Sequence, residues 1–219
     1  MVISRFWAFF LTGVLIGGVA FSSDVAFADP EKQFKQLYKA AVNGDTQAQM
    51  EIGFKYFNGQ ETPQNYAQAF KWYSKAAEQG MASAQWFLGR MYIKGQGVPQ
   101  DDTEGLKWIR KAAEQSLPEA QELLGAMYHE GRGIPQDYAE GVKWFRKAAE
   151  QGSPKGQWML WHAYSNGKGL PQDYAKALKW AREAAEQGFH EAQKVLGSMY
   201  FQGLGAPQDY AEAYFWSSL

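Results

Sequence analysis

Alanine or glycine followed by glutamine occurs at Ala48, Ala84, Ala120, Gly156 and Ala192, each 36 residues after the one before. Pro63, Pro99, Pro135, Pro171 and Pro207, each followed by glutamine, keep the same step, as do Trp72, Trp108, Trp144, Trp180 and Trp216. A fixed period with no insertion between copies restricts the chain to a solenoid, in which each unit buries its apolar face only against its neighbours. Such a chain is a scaffold before it is anything else.

The copy at 120–155 shows how one unit folds. Ala120, Leu124 and Tyr128 recur at helical spacing, and Gly125 beside them removes a side chain so that a second helix can approach. Gly131 and Gly133 suit the left-handed backbone that ends such a helix. Asp137 is placed to cap the next helix, and Glu140, three residues on, to complete a capping box. In that helix Tyr138, Val142, Phe145 and Ala149 form an apolar stripe that Trp144 and Ala148 widen, while Lys143, Arg146 and Lys147 take the other side. The five periodic tryptophans therefore read as core, each removal costing about 3–5 kcal/mol.

The run from Ala-Gln through Leu-Gly-x-Met-Tyr, Gly-x-Gly, Pro-Gln-Asp and Lys-Trp to Lys-Ala-Ala-Glu-Gln, nearly complete at 84–116 and 120–152, resembles the Sel-one-like repeat, a relative of the tetratricopeptide repeat. The resemblance covers about 48–219. It implies an all-α, right-handed superhelical solenoid of helix-turn-helix units whose members mostly act as adaptors in protein assemblies, many in bacterial envelopes. One cysteine-rich branch is associated with β-lactam binding or hydrolysis. This chain has no cysteine, so it departs from that branch.

The repeats divide as 48–83, 84–119, 120–155, 156–191 and a shorter 192–219, preceded at 29–47 by a lone second-type helix that reads as an N-terminal cap. First helices are expected near 46–58, 82–94, 118–130, 154–166 and 190–202, and their partners near 65–79, 101–115, 137–151, 173–187 and 209–219. Residues 1–28 read as a signal peptide. Arg5 precedes an apolar run from Phe6 to Phe21, shorter than the roughly 20 residues that span a bilayer, and Ala26 and Ala28 form the small-x-small cleavage pattern. The expectation is an exported, periplasmic protein, not membrane-bound once cleaved. The alternatives are secretion or an uncleaved anchor.

Positions that break the repeat carry what is specific. On one face of the first helices stand Trp86 and Arg90, Glu122 and His129, and Trp158 and His162; if first helices line the concave side, as in the resembled family, these face a partner. The plain alternative is that curvature partly buries them. The fourth repeat departs furthest, with Trp161 in place of the packing glycine and Gly156 in place of alanine, which suggests local repacking. Phe215 stands where earlier copies have lysine and marks a possible docking end.

Little here is catalytic. The Gly-x-Gly turns follow helices rather than strands and do not continue as phosphate loops. His129 and His162 lack the carboxylate or thiolate company of a metal site, and no cofactor is expected. A net charge of −1 gives no pull toward nucleic acid. The sequence reading is thus a non-catalytic adaptor that binds a protein or peptide on its concave surface. A cell-wall peptide or β-lactam binder or hydrolase is the second reading, and a self-associating spacer the third.

Overall fold

The computed structural model describes residues 29–218; the expected leader, with Ala26 and Ala28, lies outside them. The described residues form eleven α-helices and no strand. A single helix, α1 (Pro30–Val42), precedes five pairs: α2 (Thr46–Asn58) with α3 (Tyr66–Glu78), α4 (Ala82–Lys94) with α5 (Asp102–Glu114), and α6 (Pro118–Glu130) with α7 (Tyr138–Glu150). Then come α8 (Pro154–Asn166) with α9 (Tyr174–Glu186) and α10 (His190–Gln202) with α11 (Tyr210–Ser217). Every helix packs on the ones before and after it, and α6 also touches α8 directly. That is a direct contact between two first helices, the face on which the marked residues of the third and fourth repeats stand.

Each first helix stops at a left-handed glycine, as at Gly131 with φ 72°. The proline-glutamine pair then returns: Gln136 Nε2 donates to the His129 carbonyl at 2.7 Å, closing a helix end that would otherwise leave carbonyls bare. Gly133 lies so close to the Asp102 carbonyl that a Cβ would sit 2.6 Å from its oxygen, so the turn of one repeat rests on the second helix of the previous one. Glu61, at this position in the first copy, still adopts φ 59°.

The expected capping box is only half made. Asp101, Asp137 and Asp173 each accept from the backbone three residues on. Their own amides, however, donate to the carbonyls of Tyr92, Tyr128 and Tyr164 in the first helix. Glu104 and Glu140 therefore have no amide to receive, and pair instead with Lys107 and Lys143 at 2.7 Å.

Glycine on the first helix faces bulk on the second. A Cβ on Gly125 would lie 2.6 Å from the Phe145 ring, and one on Gly89 2.7 Å from Ile109. The fourth repeat inverts the couple, with Trp161 in the glycine position and Ala181, fully buried, in the position of Phe145. Repacking at Trp161 is matched by Ala181. Gly156 answers a different neighbour, since a Cβ there would meet the Ala149 nitrogen at 2.8 Å.

A buried or half-buried glutamine crosses most of the repeat boundaries; at the fourth repeat Gln157 reaches Glu183 of its own repeat instead. Gln121 is buried, donates to the Ala113 carbonyl of the preceding helix at 3.2 Å and accepts from Gln151 at 2.8 Å. Gln49 and Gln85 do the same with Ala41 and Gln79, and with Ala77 and Gln115. Of the periodic tryptophans, Trp72, Trp144 and Trp216 are buried, but Trp108 and Trp180 are only half-buried. Both still pack against the core, and lysine ammonium groups lie over their rings, Lys111 at 4.2 Å and Lys179 at 5.2 Å, as over Trp72 and Trp144, so three of the five are fully core and two are partly so.

Candidate functional site

A pocket of about 270 Å³ opens between the first helices of the third and fourth repeats. Helix α6 supplies Ala126, His129 and Glu130, α7 supplies Val142 and Phe145 beneath, and α8 supplies Trp158, Met159, His162 and Ala163. The space exists because Ala126 occupies the register held by Phe54 in the first repeat and Arg90 in the second. In the first repeats the corresponding region is filled, with Phe57 and Phe87 edge to face at 6.1 Å and Phe87 stacked on Tyr73 at 4.9 Å.

Of the residues singled out in the sequence, the fold brings His129, Trp158 and His162 together. The two imidazoles meet edge to face with centroids 6.3 Å apart. Trp158 stacks on Trp161 at 4.2 Å and 23° and touches Phe189 at 5.8 Å, which gives the pocket a stiff aromatic wall. His129 also packs against Tyr138 at 4.8 Å.

Electrostatically the pocket disfavours charge on its histidines. Burial holds His129 below the ordinary imidazole range and Lys168 adds to this, with Glu130 opposing. His162 is lowered by burial first, then by His129 and Lys168. Among the described residues no group of three or more His, Cys, Asp or Glu could hold a metal ion. Ser165, the nearest hydroxyl on α8, donates to the His162 carbonyl at 3.1 Å rather than facing an imidazole. The arrangement is a mostly apolar space able to hold a group of side-chain size.

The other marked residues lie elsewhere. The Arg90 guanidinium sits 4.5 Å over the half-buried Trp86 ring, one repeat away from the pocket. Glu122 is turned to internal work: it accepts from the Ser153 hydroxyl and lies 3.6 Å from Lys155, tying the third repeat to the fourth. Phe215 is exposed beside Tyr210 and Tyr214 at the far end of the solenoid. Sequence reasoning missed Val142, Phe145 and Met159 as pocket residues; Ala126 stands on the same first-helix face as Glu122 and His129, and its signal is a small residue where neighbouring copies carry large ones.

The family model of the Sel1 repeat matches residues 46–81, 82–117, 118–153, 154–189 and 190–219. Among solved structures, the chain is similar to a protective antigen of uropathogenic Escherichia coli displaying an SLR fold. The two are 45% identical with a TM-score of 0.81 over 84% of this chain and 40% of that one, so this chain spans well under half the length of the antigen. A Sel1 repeat protein from Oxalobacter formigenes is 35% identical with a TM-score of 0.76, covering 84% of this chain and 82% of its own. No curated protein matches the chain.

Proposed function

The chain belongs to the Sel1-repeat family, whose members are in general protein-interaction scaffolds, and from that premise we propose that it is a non-catalytic adaptor docking a protein or peptide partner on its inner, first-helix face. The observation that carries this reading is the pocket between α6 and α8, where an aromatic wall and two imidazoles converge on space that the first repeats fill. Concave, mostly apolar sites with a few polar groups are where partners seat their anchor residues. We place the adaptor outside the cytoplasm, on the strength of the apolar run at 6–21 and the alanines at 26 and 28. No described helix is long and apolar enough to cross a membrane.

A photocrosslinking amino acid at position 158 tests the face, with one at position 143 on the exposed side of α7 as control. A discrete partner captured from 158 and absent from 143 supports the reading. Equal capture from both, or capture from 143 alone, contradicts it.

A further inference from the structure

The pocket has a chemistry of its own that narrows what enters it and when. We propose that the space between α6 and α8 is a socket for one bulky uncharged side chain of an extended partner segment, aromatic or branched aliphatic, and that acidification empties it. This rests on the inner-face reading above.

Size and lining set the class of group. About 270 Å³ takes a single large side chain. Its floor is the Phe145 ring and the Val142 methyls, and its wall is the Trp158 ring, held in place by the Trp161 stack. Flat, rigid surfaces of this kind match an aromatic or branched residue, which loses little freedom on docking.

Loss of water to the apolar walls disfavours both charged classes. A cationic side chain would meet Glu130 but also the positive charge of Lys168, which acts on both imidazoles, and would lose its water to apolar walls. An anionic one would meet Glu130 at the rim and lose its water to apolar walls. An uncharged side chain meets neither cost.

The same groups make the socket sensitive to acid. His129 faces Tyr138 from α7, His162 from α8 and Lys168 from the turn after α8, with Glu130 beside it on its own helix. His162 faces His129, Trp161 and Lys168. Protonating either ring puts a cation in an apolar space near a lysine and, at full protonation, near a second cation. An apolar occupant deepens that penalty, so by linkage proton uptake and occupancy oppose each other.

The test uses nitrogen-15-labelled protein and N-acetyl-phenylalaninamide as the probe, with N-acetyl-lysinamide and N-acetyl-aspartamide as charged controls. The tryptophan indole resonances are followed at about pH 7.5 and about pH 5.5, the span over which histidines charge. The expected result is a saturable shift of the Trp158 indole with the phenylalanine probe alone, weakened roughly fivefold at the lower pH. In His129→Gln/His162→Gln the probe should bind equally at both pH values. Lys168→Gln, on an exposed turn, provides a second check and should lessen the acid sensitivity. Binding that ignores pH in the parent protein, or stays acid-sensitive in the double variant, overturns the release. No saturable shift, or a preference for a charged probe, overturns the socket; if position 158 still captures a partner, the inner-face reading survives that loss.

Discussion

Gln151 Nε2 donates to Gln121 Oε1 at 2.8 Å across a separation of thirty residues, and Gln121 in turn donates to the Ala113 carbonyl of the preceding repeat. The glutamines Gln49, Gln85 and Gln121 are thus buried pins between units. Gln121→Ala removes one donor to the Ala113 carbonyl, which keeps the Ser116 amide at 3.0 Å, and removes the acceptor of Gln151. A loss of about 2 kcal/mol is expected, read as a lower denaturant midpoint, whereas Lys71→Ala on the exposed side leaves it unchanged. Gln157→Ala should cost less, because its amide reaches Glu183 only at 3.4 Å instead of a backbone carbonyl.

The inverted couple of the fourth repeat predicts a rescue. Gly125→Trp alone places an indole against Phe145 and destabilises by about 3 kcal/mol or prevents folding. Adding Phe145→Ala reproduces the Trp161 and Ala181 arrangement and should recover most of the thermal stability. Failure of the double variant to exceed the single would show that the fourth repeat is accommodated by something other than exchanged volume.

Tyr73 stands in the register of Ile109 and Phe145, fully buried, with its hydroxyl lacking a hydrogen-bond partner. Burial pushes its phenol well above the usual range. Tyr73→Phe deletes an unsatisfied polar atom and keeps the ring stacked on Phe87, so it should raise stability by about 1 kcal/mol. A marked fall in melting temperature would mean the hydroxyl is satisfied in solution.

Because His129 and His162 titrate below their ordinary value in the folded chain, the unfolded chain takes up protons first as pH falls. Stability from these groups is complete above about pH 6.5 and declines below it, until the folded-state values are passed. In His129→Gln/His162→Gln the urea midpoint between about pH 7.5 and about pH 5.5 should flatten relative to the parent. An unchanged slope would place the acid sensitivity elsewhere.

Much of the architecture is legible because a strict period makes each copy a template for the next. The first helices begin and end where the Ala-Gln, Leu-Gly and Gly-x-Gly spacing puts them, and Trp158, His129 and His162 meet because they occupy related registers one repeat apart. The hidden part involves contacts between registers. The tyrosine carbonyls that take the Asp101 and Asp137 amides lie in another helix, so a local rule proposed a capping box that tertiary pairing displaced. Trp108 and Trp180 share the registers of buried Trp72 and Trp144 yet are only half-buried, which no single-copy pattern distinguishes. The pocket is harder still, because it depends on what Ala126 lacks.

The central claim is that a partner docks in that space, and filling it is the direct test. Ala126→Trp should occupy the pocket from within, while Lys143→Trp adds the same bulk to the exposed side. The measurement is the dissociation constant of the partner captured from position 158, for both variants and the parent, with circular dichroism confirming an intact fold. Docking at the pocket requires at least roughly a tenfold loss of affinity, about 1.4 kcal/mol, for Ala126→Trp and none for Lys143→Trp. Parent-like affinity in a folded Ala126→Trp would contradict it.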